Sequence, residues 1–449
     1  MPFPILAGIF LARLWAQVPL AITANKIKDK GFTDLTAYSL LTELSVGIGP
    51  RLAGSENAAK AVEWGRQKMV DLGFQNVRLL PCKVPHWVRG DVEKCQILGP
   101  SPINLTCCAL GQSPATPEGG LTGQVIEVQS IAEAQKLGPK VNGKIIFFNR
   151  PFDPTFVGTF ASYGRAGDQR FAGPGAAAKL GAKAMLVRSL TADHDDFPHT
   201  GVTQFDEKGP KVPCAALSLV AADRLSSAIK LNPDVEIQLS LSCHSLPDAD
   251  SADVIGEIVG DSKPNEVIVM GGHLDSWDKG RGAHDDGAGV VQGLEALRLI
   301  HDLGLKPKRT IRVCLWIDEE QKGSGSEAYL KFVQQGKQGA YAAIESDSGG
   351  FAPRAFGTSL SKSNVARFDF ALPILRSLEI DGINANGETG SDIGPLGALH
   401  AALFGLSVES QRYFDYHHSD KDTIDKVNPR ELELGAIDIA VLAWILANE

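Results

Sequence analysis

The 449-residue chain lacks most of the features that narrow a function quickly. It has no basic run and a formal net charge of −9, which excludes nucleic acid as a natural partner. No apolar stretch reaches the roughly 18 to 20 residues that a membrane-spanning helix needs. None of its cysteines (Cys82, Cys95, Cys107, Cys108, Cys214, Cys243 and Cys314) has C-x-x-C zinc spacing, and their odd number leaves one thiol without a disulfide partner. Cys314, inside "IRVCLWI", reads as a buried small hydrophobe. Glycine is plentiful, yet neither G-x-G-x-x-G nor G-x-x-x-x-G-K-[ST] occurs, so phosphate binding gains no support. G-x-S-x-G is missing, which removes the serine-hydrolase elbow. Internal repeats and low-complexity tracts are absent as well.

What is present is an ordinary globular composition, 43% hydrophobic and 22% charged, long enough for two or three domains. The apolar start "MPFPILAGIFLARLWAQVPLA" has the centre and the small-residue end of a cleaved signal over residues 1–21, but no basic beginning. A first helix is the other reading. A secreted or periplasmic location follows from the first of these, and a cytoplasmic one from the second.

Helical text runs from Thr33 to Gly73, where "SENAAKAVEWGRQKMVDLG" opens on a Ser55 cap and closes on Gly73. Residues 113–246 differ: short β-branched runs alternate with Gly- and Pro-rich loops around one alanine-rich helix, "GPGAAAKLGAK", as expected of a β-rich module inserted into a larger domain. The larger domain then occupies residues 22–112 and 247–449. In its second part strands alternate with helices. "NEVIVMGG", "TIRVCLWI", "AYAAIESD" and "AALFGLSVES" read as strands. "GVVQGLEALRLIHDLG" reads as a helix with Val290, Leu294, Leu297 and Ile300 on one face. The expected fold class is therefore α/β, a mostly parallel mixed sheet flanked by helices.

The stretch "GGHLDSWDKGRGAHDDGAG", Gly271–Gly289, carries two His-and-Asp clusters in glycine-rich text. On the expected elements, His273 follows the first of these strands. Glu319 and Glu320 follow the second, Asp347 the third, and His417 and His418 lie in the loop after the fourth. Asp285 precedes a helix start, where the dipole favours an anion. Ligands of open α/β sheets collect beyond the carboxyl ends of the strands, and every candidate falls at that edge. Two histidines with several carboxylates suit zinc, and a carboxylate can bridge two ions. Taken singly, a histidine or a Glu-Glu pair is more often surface or satisfied core, and His86, His199, His244, His301 and His400 are read as structural. It is the joint placement that argues for a metal site.

With these residues in view, the chain resembles the co-catalytic two-zinc exopeptidases. The similarity runs through "GPRLAGS", "VPHWVRG", the Gly271–Gly289 stretch, "LGLKPKRTIRVCLWIDEEQKGSG", "ESDSG", "GSDI" and "YFDYHHSDKDT". It implies that His273 and Asp347 hold one zinc, Glu320 and His418 the other, and that Asp285 bridges them. Glu319 is implied as general base and Asp275 as the acid orienting His273. His417 stands where relatives often have tyrosine and could assist the oxyanion, and Ser391 and Asp392 of "GSDI" are further substrate or oxyanion candidates. The resemblance further implies a protease-associated-like insertion, a cis Asp285–Asp286 bond, a homodimer and a peptide substrate with free termini. Arg165, Arg170 and Arg188 of the insertion are candidates for meeting the substrate carboxylate. An aminopeptidase would use the same ligands, so they leave the choice between the two ends of a peptide open. A single-zinc glutaminyl cyclase and a non-catalytic receptor-like protein are the remaining alternatives.

Overall fold

The computed structural model describes the backbone of residues 4–449 and the side chains from residue 19 onward. The expected signal segment, residues 1–21, lies almost wholly outside the described side chains. In chain order the described strands are β1 (Gln75–Val88), β2 (Glu93–Ile97), β3 (Ile103–Leu105), β4 (Cys107–Ala109), β5 (Leu121–Val128), β6 (Ile145–Phe148), β7 (Ala184–Arg188), β8 (Cys214–Leu217), β9 (Glu236–Leu241), β10 (His244–Ile258), β11 (Lys263–His273), β12 (Arg309–Trp316), β13 (Gly339–Glu345), β14 (Pro353–Thr358), β15 (Ile383–Ala385) and β16 (Ala402–Val408). They form two sheets of eight strands each.

The first sheet is ordered β1-β10-β12-β11-β13-β16-β14-β15, and its centre, β12-β11-β13-β16, is parallel. All of β12 is buried, as is β11 from Val267 to His273. That is why both read as continuous apolar runs rather than alternating ones: helices cover both faces. Ile268 and Met270 pack with the helix Ala288–Asp302, and Val269 packs on the other face with Tyr329 and Val333 of the helix Ser324–Gln335. The expected apolar face of Ala288–Asp302 is buried, but so is every residue from Ala288 to Ile300. The C-terminal helix Pro429–Asn448 packs against it, so its polar face has no water to meet. Arg298 and Glu295 satisfy each other there instead.

The second sheet, β3-β2-β9-β5-β6-β7-β8-β4, has a parallel centre from β5 to β8. It begins earlier than the expected boundary at 113. β2 pairs with β9 and β4 with β8, so residues 93–109 belong to the inserted sheet, which ends at Leu241 rather than 246. Runs as short as "INL" and "CCA" carry no readable period, so pairing alone reveals them. The expected alanine-rich helix is present at Gly173–Lys179, and the further helices Thr159–Phe171 and Leu219–Leu231 make the insertion more mixed than expected. Strand β1 leads out to it and β10 leads back, paired antiparallel from Gln75↔Glu257 to Val88↔His244. All seven cysteines are free, with only Cys82 not fully buried. No described helix is long and apolar enough to cross a membrane.

Candidate metal centre

The parallel strands bring their carboxyl ends to one edge, and the candidate residues gather there. His273 ends β11, Glu319 and Glu320 follow β12, Asp347 follows β13, and His417 and His418 lie beyond β16. Asp285 precedes the helix Ala288–Asp302, and the Asp285–Asp286 peptide bond is cis. Asp286 caps that helix by accepting from Gly289 N (2.8 Å), and its other oxygen accepts from His273 N (3.0 Å). This explains the glycines: a Cβ at Gly272 or Gly289 would overlap the Asp286 carboxylate. Asp422 secures the same turn, accepting from His284 N (2.7 Å) and Asp285 N (3.1 Å). Arg51, of "GPRLAGS", lies fully buried beneath it and donates to the carbonyls of Leu274, Arg281 and Gly282.

Asp285 is the centre of the arrangement. Its Oδ1 lies 3.2 Å from His273 Nε2, which is 3.6 Å from Asp347 Oδ1. Its Oδ2 lies 3.2 Å from His418 Nε2, which is 3.2 Å from Glu320 Oε2. His417 Nε2 is farther from the same Oδ2, at 3.6 Å. Tetrahedral ligands at zinc bond lengths stand about 3.3 Å apart, so these separations suit a metal. Asp285 Oδ2, Glu320 Oε1 and Asp347 Oδ1 are buried with no hydrogen-bond partner among the described residues, and a cation would satisfy them. The imidazoles are set for the task. His273 Nδ1 faces the Asp275 carbonyl (3.1 Å) and His418 Nδ1 the Thr200 carbonyl (3.1 Å). A carbonyl only accepts, so Nδ1 carries the proton and Nε2 points its lone pair inward.

Electrostatics tell the same story. Burial pushes the Glu320 carboxyl up to about 8, with the Asp285 charge adding to the effect. Burial also raises Asp347, to about 6. Burial works against charge on His273 and His418 too, but neighbouring carboxylates outweigh it and hold both well above the ordinary imidazole range. The site is built to receive positive charge.

Known proteins point the same way. Residues 253–442 match Peptidase family M28. Carboxypeptidase Q of Bos taurus is 36% identical over 416 residues, covering 92% of this chain and 85% of its own. The Homo sapiens protein of that name is 35% identical over 414 residues, with the same coverage of each chain. A solved Peptidase M28 precursor from Shewanella amazonensis superposes with a TM-score of 0.91 at 34% identity, over 96% of this chain and 98% of that one. This chain belongs to peptidase family M28. It is a metallopeptidase. A zinc aminopeptidase from Bacillus subtilis shares the fold, with a TM-score of 0.66 at 19% identity.

In this M28 chain Asp275 acts differently from the expectation. Its carboxylate stands 3.8 Å from His273 Nδ1, too far for a hydrogen bond, and the residue orients His273 through its backbone carbonyl. The carboxylate Oδ1 instead accepts from the backbone N–H groups of Asp318 (2.7 Å) and Glu319 (3.2 Å), fixing the turn that presents Glu319 and Glu320. Asp285, Glu319, Glu320, Asp347, His417, His418 and Ser391 line one cavity of about 240 Å³. An adjoining cleft of about 730 Å³ shares Asp347 and Ser391 with it. Asp392 lines neither. It is buried, with both carboxylate oxygens unpartnered among the described residues, and burial holds its carboxyl well above the usual range.

Several contributors carry no separate signal in the sequence, although Glu345 opens "ESDSG" and Tyr413 and Phe414 open "YFDYHHSDKDT". Glu345 is buried and accepts from Ser391 N (3.0 Å) and Ile393 N (2.9 Å), which positions the "GSDI" loop. Phe160 and Tyr163 of the insertion and Tyr413 and Phe414 wall the cavity, and the His417 ring stacks 3.5 Å from that of His418. Of the three insertion arginines, Arg188 pairs with Asp223 (2.7 Å) and the exposed Arg165 packs over Phe156. Only Arg170 reaches the cavity.

Proposed function

We propose that this chain is a zinc-dependent exopeptidase that hydrolyses dipeptides or short peptides with free termini, in the manner the name carboxypeptidase Q describes. The observation that carries this reading is Asp285, whose two oxygens face two separate donor sets at 3.2 Å. His273 and Asp347 would hold one zinc, His418 and Glu320 the other, and Asp285 both. Two ions bound there would polarise the scissile carbonyl and lower the pKa of a shared water. Glu319, half-buried at the cavity wall and fixed through its N–H by Asp275, takes the proton and delivers it to the leaving amine. His417 is kept neutral by burial, well below the ordinary imidazole range, and can donate a hydrogen bond to the developing oxyanion. Ser391 is the member of the Ser391–Asp392 pair that a substrate can touch.

The acidic lining of the adjoining cleft, with Glu345, Asp347 and Glu388, suits a substrate amine and keeps an aminopeptidase as the second reading. The insertion acts as a protease-associated-like module that completes the cavity. Export from the cytoplasm and assembly as a homodimer belong to the same reading. They are drawn from the apolar start and the family resemblance, and cell fractionation and light scattering test them. The deciding experiment for the activity is zinc analysis beside a dipeptide assay. Two zinc ions per chain and loss of hydrolysis on chelation are expected. Full hydrolytic activity with one ion per chain would contradict the two-metal site, and one ion per chain without dipeptide hydrolysis would favour glutaminyl-cyclase-like chemistry.

A further inference from the structure

The cavity that holds the metal-ligand candidates is lined by an arginine that forms no ion pair among the described residues. Arg170 lies on the insertion helix Thr159–Phe171 and is 8% exposed. Among the described residues it forms no ion pair, and its Nε is buried without a hydrogen-bond partner. Its Nη1 is 3.4 Å from the Thr200 carbonyl and 3.4 Å from His418 Nδ1. That nitrogen already gives its proton to Thr200, so it cannot accept from the guanidinium. The Tyr163 ring covers the group at 5.3 Å. Gly201 leaves it room, since a Cβ there would overlap the guanidinium carbon. Every other fully charged side chain lining the cavity (Asp285, Glu319, Glu320 and Asp347) is acidic.

An unpaired buried guanidinium is costly unless an anion completes it. Its planar fork matches a carboxylate. We propose that Arg170 binds the free C-terminal carboxylate of the substrate and thereby restricts cleavage to the last peptide bond. The inference rests on the peptidase reading above and decides which end of the peptide is recognised. Distance supplies the restriction. The terminal carboxylate carbon of a one-residue leaving group is three bonds, under about 4 Å, from the scissile carbonyl carbon. A carboxylate held by Arg170 lies about 3 Å from a guanidinium that itself touches the His418 ring. One residue spans that gap. Each further residue would add up to about 3.5 Å and push the scissile bond past the metal ligands. The substrate class is dipeptides and peptides that lose a single C-terminal residue.

The test compares Ala-Leu with Ala-Leu amide on the zinc-loaded enzyme and its Arg170→Gln, Arg170→Lys and Gly201→Ala variants. Wild type is expected to prefer the free acid. Arg170→Gln should cut kcat/KM on Ala-Leu by about 100-fold, because a charge-reading contact is lost, and leave amide turnover within a few-fold. Arg170→Lys should recover part of the loss, and Gly201→Ala should reproduce it by displacing the guanidinium. Retained amide turnover also shows that the variants are folded. Equal losses on both peptides, or a wild type that cleaves the amide as fast as the acid, would overturn the proposal. Calorimetric binding of the two peptides to zinc-loaded Glu319→Gln reads the same preference without catalysis. Should wild type hydrolyse no peptide while that variant still prefers the acid through Arg170, the peptidase reading and the restriction of cleavage fail, and carboxylate binding by Arg170 alone stands.

Discussion

Glu319 and Glu320 are neighbours in sequence with opposite surroundings. Glu320 is buried against His418, whereas Glu319 is half-exposed at the cavity wall and its carboxylate has no hydrogen-bond partner among the described residues. Glu319→Gln removes the proton acceptor and keeps the shape, so zinc should stay bound while turnover falls by roughly 10²–10⁴. Glu320→Gln should lose metal instead. Zinc analysis beside steady-state rates checks both, and the reverse pattern would exchange the two roles. The adjacent histidines divide in the same way. His418 Nε2 is 3.2 Å from both Asp285 and Glu320, with its tautomer fixed by Thr200, whereas His417 approaches only Asp285, at 3.6 Å. His418→Ala should therefore release zinc, and His417→Ala should retain it and turn over slowly. Metal loss in His417→Ala alone would reverse the assignment.

At the level of elements, the loop carrying these histidines is held by the insertion. His199 contacts the His417 carbonyl through Nδ1 at 2.7 Å, Thr200 N donates to the His418 carbonyl, and Lys421 pairs with Asp193 and Asp195. Burial lowers the His199 imidazole to about 3. Because its folded value lies below the unfolded 6.5, the unfolded chain binds the extra proton first as pH falls. The stability from His199 is complete above about pH 6.5 and is lost on acidification toward its folded value. His199→Gln should consequently be weaker at neutral pH but show a shallower loss between pH 6.5 and 4. The difference in slope should approach one proton, about 1.4 kcal/mol per pH unit. Urea midpoints across that range measure it, and identical slopes would refute the assignment.

For the molecule as a whole, the ligand candidates come from segments that share no local contact in the chain, spaced from His273 to His418 and tied to the insertion through Thr200. Metal bound by such a set binds only the folded state. Chelation should lower the melting temperature, by an amount corresponding to about 2.7 kcal/mol where free zinc stands 100-fold above its dissociation constant. Calorimetry with and without chelator checks this, and an unchanged transition would show that the ligands do not hold metal in the folded protein.

The sequence alone determined the parallel core and the five ligand candidates. Buried parallel strands must be continuous apolar runs, and such strands end where ligands collect, so His273, the Glu319–Glu320 pair, Asp347 and the His417–His418 pair were legible from what precedes them, and only the resemblance chose Glu320 and His418 within the pairs. The glycines at 272 and 289 stood out only as part of a glycine-rich stretch, and the space they leave for Asp286 is a tertiary feature. Only the tertiary structure decided the rest. Asp275 uses its carbonyl toward His273 and its carboxylate toward Glu319, a choice set by turn geometry rather than residue type. The insertion begins at Glu93 because pairing with β9 and β8, far along the chain, defines it. Arg165, Arg170 and Arg188 look alike in sequence. One finds an acid, one lies at the surface, and one is buried beside the metal ligands with no ion pair among the described residues, because burial and charge pairing belong to the folded chain and not to any local stretch of it.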